Sequence, residues 1–321
     1  MKNLKKLPLI LSILSLASFI TPVNADVKVV ASIKPLHSLA SYLMDGVGKP
    51  DLIVEGYGSP HGFSMKPSHA KILQNADLIF WVGEDLEIFL EKPLSSIAKK
   101  AEKIELMEIK GLNVLKFRER NIFDKHDHDD HDDHGKKEEH ADHDDHDGHE
   151  GHAHGEYDPH IWLDPMNAKV ILNKMVEHLI ENDAKNASKY KSNLKNAFKD
   201  IDKLTADVKA DLSKSTASIV FHDAYQYFEE RFDINILGAF TVNTDVMPGA
   251  EQLSEIREII EHDKVSCIFS EPQFNPDIIN AVAKDMDIKT GILDPLGATL
   301  NPGKNLYFDL IRNMSDSFKG C

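Results

Sequence analysis

Residues 184–212 read AKNASKYKSNLKNAFKDIDKLTADVKADL. Apolar or aromatic side chains recur there at Ala187, Tyr190, Leu194, Ala197, Phe198, Ile201, Leu204, Val208 and Leu212, with no proline or glycine between them. That spacing predicts one uninterrupted helix with a single apolar face. At 1.5 Å per residue it is about 40 Å long, enough to cross a domain. The competing reading is a coiled-coil dimerisation helix. The a/d pattern lasts only about four heptads and has weak seam residues such as Ala187 and Ala197, so packing against the chain's own lobes is expected.

On either side of this helix, short β-rich runs alternate with longer helical patterns. The runs are residues 27–31, 52–54 and 78–82 before it, and 218–221, 267–269 and 291–293 after it. This alternation predicts an α/β fold of two lobes, each a mostly parallel sheet with flanking helices, joined by one long rigid helix. The expected division is residues 1–25 as a signal peptide, 26–183 as an N-terminal lobe, 184–213 as the linking helix and 214–321 as a C-terminal lobe. No internal sequence repeat is evident.

The leader has the basic, apolar, small-residue order of a secretory signal: Lys2, Lys5 and Lys6, an apolar run over 7–20, then Val23-Asn24-Ala25. A membrane span needs roughly 20 apolar residues and this run is about 14, so cleavage after Ala25 is expected. No cysteine stands at the cleavage point to take a lipid. The mature chain is therefore expected to be exported, unanchored and monomeric.

With 37 Lys+Arg against 53 Asp+Glu the formal charge is -16, and an anionic field of that size disfavours nucleic acid. Most of the acidity is local: residues 124–158 hold fifteen acidic and three basic side chains and almost nothing apolar. Such a segment buries too little surface to offset its ordering entropy, so no packed structure is expected for it. Ten of the seventeen histidines fall inside it: His126, His128, His131, His134, His140, His143, His146, His149, His152 and His154. Imidazole and carboxylate both bind zinc, and imidazole also suits nickel and copper. The loop therefore reads as a metal collector with several interchangeable, individually weak sites.

Three histidines elsewhere sit at turn and strand-end signals. They are His61 in Gly58-Ser59-Pro60-His61-Gly62, His160 in Asp158-Pro159-His160-Ile161-Trp162-Leu163, and His222 in Val220-Phe221-His222-Asp223. In open α/β sheets ligands bind beyond the carboxyl ends of strands, so the three can converge from two lobes on one ion. Asp294 is a fourth strand-end candidate, with water as the alternative. Glu271 follows a strand-like run and reads equally as a ligand or as a side chain orienting one. His37, His69, His178 and His262 lie in helical or amphipathic patterns and are assigned structural roles. A zinc hydrolase is the minority reading: there is no His-Glu-x-x-His helix, no Gly-x-Ser-x-Gly elbow and no Walker phosphate loop. Cys267 and Cys321, the only cysteines, are too few for a four-cysteine zinc site. After export they are expected to pair, two free thiols being the alternative.

Taken in order, these segments resemble the ZnuA-type zinc-binding proteins, the periplasmic receptors of bacterial zinc ABC transporters. Ala31-Ser32-Ile33-Lys34-Pro35, Lys66-Pro67-Ser68, Ser270-Glu271-Pro272-Gln273-Phe274 and Leu293-Asp294-Pro295-Leu296-Gly297 complete the set. The resemblance covers essentially the whole mature chain. It implies zinc held between two lobes by His61, His160 and His222, with a zinc permease in the inner membrane as partner. Some members carry a carboxylate just before the first histidine; here Pro60 leaves Asp294 or water for the fourth position. The resemblance also implies a Cys267–Cys321 disulfide. A manganese receptor of the same fold and a buffering protein acting through the loop are the alternatives, and retention of an imidazole at His222 favours zinc.

Overall fold

The computed structural model describes residues 27–118, 120–123, 155–212, 216–244 and 246–321. The leader, the residues 124–154 for which no packed structure is expected, and the ten loop histidines lie outside the described residues. Two four-stranded sheets form the framework, and every strand pair within them is parallel. The first consists of β1 (Val29–Ala31), β2 (Asp51–Leu52), β3 (Leu78–Trp81) and β4 (Glu102–Glu105), in the order β2-β1-β3-β4. The second consists of β5 (Ser218–His222), β6 (Ile236–Thr241), β7 (Cys267–Ser270) and β8 (Lys289–Ile292), in the order β6-β5-β7-β8. The two sheets thus share one strand order without a shared sequence. In both, the chain reverses direction of growth beside the first strand, which opens a crevice at the strand carboxyl ends.

Helices α1 (Lys34–Leu43), α2 (Pro67–Asn75), α3 (Glu84–Ser96) and α4 (Pro165–Asn182) belong with the first sheet. Helices α6 (Gln226–Phe232), α7 (Ala250–His262) and α8 (Asp277–Met286) belong with the second. Between them run α5 (Ala187–Asp211), of 25 residues, and α9 (Leu306–Lys319). The buried side chains of α5 are Tyr190, Asn193, Ala197, Ile201, Leu204 and Val208, the face read from the sequence, and they are covered by α1, α4 and α9 of the same chain. Asn193 is buried because its Nδ2 donates to the carbonyls of Leu43 (2.8 Å) and Asp45 (2.9 Å), capping the end of α1. An unpaired amide there would cost about 1–3 kcal/mol.

The first core cluster is continuous across the chain: it takes in β1, β3, α1, α4, α5 and α9 and one face of the second sheet, including Val220 and Phe269. The other face of that sheet, Ile219, Phe221, Leu237, Phe240 and Ile268, packs under α7 and α8 as a separate cluster. Val220 facing one way and Ile219 and Phe221 the other is the two-residue period of a strand.

Two strands, β4 and β6, are absent from the sequence reading. β4 is Glu102-Lys103-Ile104-Glu105, an edge strand whose charges protect the sheet margin and erase the apolar signal. In β6, Gly238 breaks the β-branched pattern, and it must be glycine: a Cβ would stand 2.7 Å from the Asn121 carbonyl oxygen. Ile122 pairs antiparallel with Gly238 at that point. Residues 121–123, placed by sequence in the N-terminal lobe, thus add to the second sheet. The chain after the insertion also returns earlier than its composition indicates: Tyr157 bridges Lys116, and Asp158 N–H donates to the Leu115 carbonyl (2.9 Å). Main-chain pairing is indifferent to side-chain polarity, so these polar segments pair without an apolar signal.

Glu87, inside α3, is fully buried and accepts the N–H groups of Val82 (2.7 Å) and Gly83 (3.2 Å). Burial pushes its carboxyl from 4.5 up to about 7, against those hydrogen bonds. Between these values the folded state holds a proton that the unfolded state has released. Stability from this group therefore falls as pH rises from 4.5 through about 7, by an amount on the order of 3 kcal/mol. In metal-free protein, urea midpoints measured across that window decline, and the Glu87→Gln variant declines less.

Candidate metal centre

His222 is the last residue of β5, where the crevice of the second sheet opens. His61 lies in the turn-rich segment that follows β2, and Pro67 at the first position of α2 closes that segment. His160 precedes a single 3-10 turn, Ile161–Leu163, and α4 then starts on Asp164 and Pro165. Asp164 caps α4 by accepting Met166 N–H (2.8 Å), and Arg231 grips both its oxygens at 2.7 Å. That bidentate pair ties the segment bearing His160 to α6, just beyond His222.

The fold brings the three rings together. Ring centroids are 5.5 Å apart for His61 and His160, 5.6 Å for His61 and His222, and 5.3 Å for His160 and His222. One nitrogen from each lies within 4.8 Å of the others. His160 and His222 are buried, and His61 is partly open.

Each buried ring is oriented by a carboxylate. Asp158 Oδ1 sits 2.7 Å from His160 Nδ1 and also accepts the His160 backbone N–H (2.9 Å). Glu271 Oε1 sits 2.6 Å from His222 Nδ1. Where the carboxylate accepts from Nδ1, Nε2 keeps its lone pair for an ion. Those two Nε2 atoms face one another at 3.4 Å. A tetrahedral zinc at about 2.0–2.1 Å from each nitrogen separates its ligands by roughly 3.3–3.4 Å.

The surroundings hold negative charge in reserve. Burial raises Asp158 to about 7 and Asp223 to about 6, with Arg118 pulling both back. Arg118 bonds Asp223 (3.1 Å) and Glu229 (2.6 Å). Burial together with the neighbouring His222 holds His160 well below 6.5, while Glu271 raises His222 despite its burial. Trp162, fully buried, packs its ring at a tilt 5.3 Å from that of His160 and donates Nε1–H to the Pro295 carbonyl (2.8 Å). Lys34 at the start of α1 donates to the carbonyls of Gly297 (3.0 Å), Ala298 (2.7 Å) and Leu300 (3.1 Å) and fixes the same loop from the other side.

Asp294 stands apart from the three-histidine group. Its Oδ1 accepts Gln273 Nε2–H (2.9 Å) and Leu296 N–H (3.3 Å), and its Oδ2 accepts Thr299 N–H (3.4 Å). It organises the turn after β8. Asp158 was missed because it closes an acidic run; its one local signal was the Asp-Pro-His spacing, which lets the side chain fold back on its own histidine. Loss of an orienting carboxylate reduces metal affinity 10- to 100-fold. Glu271→Ala is therefore expected to weaken zinc binding by that factor in a chelator-competition titration.

Cys267, at the start of β7, is bonded to Cys321, with Cα atoms 5.8 Å apart. His37 hydrogen-bonds the Pro50 carbonyl (3.1 Å), and His69 Nδ1 accepts Lys66 N–H (3.1 Å). Among the described residues no helix is long and apolar enough to cross a membrane.

Two α/β lobes that bring three histidines together, two of them buried and oriented by carboxylates, define a metal-binding solute receptor of the transport class. A family model described as zinc-uptake complex component A, periplasmic (ZnuA), matches residues 29–321. The high-affinity zinc uptake system protein ZnuA of Brucella abortus is 48% identical over 303 residues, covering 91% of each chain. The protein of the same name from Yersinia pestis is 35% identical over 300 residues, covering 92% of each. The crystal structure of a zinc-bound ZnuA deletion mutant superposes with a TM-score of 0.72 at 18% identity, covering 92% of this chain and 97% of that one. This chain belongs to the ZnuA family of periplasmic zinc-uptake components, which are transport receptors and not enzymes.

Proposed function

We propose that this receptor binds one zinc ion on Nε2 of His160, Nε2 of His222 and a ring nitrogen of His61, with water in the fourth position, and releases it to a zinc permease of the inner membrane. The observation that carries this reading is the 3.4 Å approach of two Nε2 atoms whose Nδ1 partners are buried carboxylates. An all-nitrogen protein set suits zinc better than manganese, which prefers oxygen. In this reading Asp294 supports the loop through its hydrogen bonds to Gln273, Leu296 and Thr299, and the ion rests on the three grouped histidines. The leader directs export and is removed after Ala25. The apolar face of α5 is covered by its own chain, which supports a monomer over a dimer paired through that helix. The histidine-rich segment collects metal around the cleft, and the cleft supplies affinity.

The test is a calorimetric zinc titration, against a competing chelator, of protein lacking residues 126–154. One tightly bound ion per chain is the expected result, and Asp294→Asn leaves that affinity within about threefold, well below the loss expected for a ligand. Loss of all tight binding on deletion would make the protein a loop-based buffer. A large loss in the Asp294 variant would return that residue to the coordination sphere.

A further inference from the structure

A second group of metal-binding side chains lies at the opposite end of the first sheet from the cleft. Glu102 opens β4, and His178 and Glu181 project one turn apart from the last turns of α4. One donor atom from each lies within 4.8 Å of the other two. His178 Nδ1 is 2.7 Å from Glu102 Oε1 and 3.5 Å from Glu181 Oε2. These separations bracket the roughly 3.4 Å edge of a tetrahedron around zinc.

Two features separate this group from an ordinary surface ion pair. His178 is 92% buried, yet neither ring nitrogen makes a hydrogen bond: the approach to Glu102 is close but lacks N–H alignment. A buried imidazole whose nitrogens are not aligned with any acceptor normally costs free energy, and an ion between ring and carboxylates removes that cost. Glu102 is also held from behind. Asn182 Nδ2 donates to its Oε2 (2.8 Å) and to the His178 carbonyl (2.9 Å), turning Oε1 toward the ring. That is the outer support by which metal sites orient their carboxylates. The nearest lysine on the helix, Lys174, is engaged by Glu177 (3.0 Å) and leaves the group net negative.

We propose that Glu102, His178 and Glu181 form a second site for a zinc-class divalent ion, completed by water and weaker than the cleft. It is about 20 Å along α4 from Pro165, so it is independent of the histidine triad. A bound ion there would fasten the edge strand β4 to α4. One imidazole and two carboxylates suit zinc, and the single nitrogen ligand makes the site more tolerant of other divalent ions than the cleft is.

The test is diffraction at the zinc absorption edge from crystals of the full-length mature protein grown with two equivalents of zinc chloride at neutral pH. The cleft peak serves as an internal reference. An anomalous peak among Glu102, His178 and Glu181 is expected, and it is lost in the Glu102→Gln/Glu181→Gln double variant while the cleft peak keeps its height. In solution, the second zinc equivalent raises the melting temperature of the wild type further than that of the double variant. No peak at this position, a peak that survives the double substitution, or one that appears only at millimolar zinc overturns the proposal. None of these outcomes bears on the cleft, whose peak is read separately.

Discussion

Alanine at position 61 lowers the affinity of the cleft for zinc about 100- to 1,000-fold. Structural zinc sites bind with about 10–16 kcal/mol shared over four ligands, or about 2.5–4 kcal/mol each, and tenfold in affinity is about 1.4 kcal/mol. His61 is the cleanest position for this measurement. It is partly open and comes from the loop after β2, so its removal disturbs little of the core. His160→Ala and His222→Ala are expected to lose as much affinity and to cost stability as well, because Asp158 and Glu271 would be left buried without the rings that face them. Competition against a chromophoric chelator gives the affinities, and denaturant midpoints of the metal-free proteins separate the two effects. An affinity within threefold of wild type for His61→Ala would remove that residue from the site.

The second large effect concerns the disulfide. Cys267 and Cys321 are separated by 54 residues in sequence, so the bond closes a long loop that contains β7, α8, β8 and α9. On the chain-entropy account, opening a loop of that length costs about 4 kcal/mol. The end of α9 is also pinned by Phe318, whose ring lies 5.1 Å from Phe269 and 5.7 Å from Phe228. Reduction should therefore loosen the C-terminus without unfolding the molecule at room temperature. Urea unfolding of oxidised protein and of Cys321→Ser measures the difference. A midpoint unchanged by the substitution would mean that the aromatic cluster alone holds α9.

The histidine triad was legible because each member carries a local signature of a strand end or turn, and because a metal-collecting segment implies a destination. The orienting carboxylates were less legible. Glu271 could be read two ways, and only its 2.6 Å approach to His222 Nδ1 assigns it to the ring. Asp158 looked like one more acid in an acidic run, yet it is buried beneath His160. His178 read as a helix-surface residue because Glu102, its nearest carboxylate, is 76 positions away in sequence and arrives on a strand with almost no apolar pattern.

The sequence by itself determined the architecture and the chemistry available. Short apolar runs bounded by turn signals and alternating with longer helical patterns point to strands of an α/β fold. The period of residues 184–212 permits only a one-sided helix, and ten clustered histidines point to a transition metal. Only the tertiary structure decided which atoms meet. The strand order, the second cross-chain helix α9, the pairing of residues 121–123 with β6 and the 3.4 Å gap between two imidazole nitrogens all depend on contacts between residues far apart in the chain. Periodicity reports how a segment meets its own environment. It carries no information about which distant segment supplies that environment, and a metal site is defined by that choice.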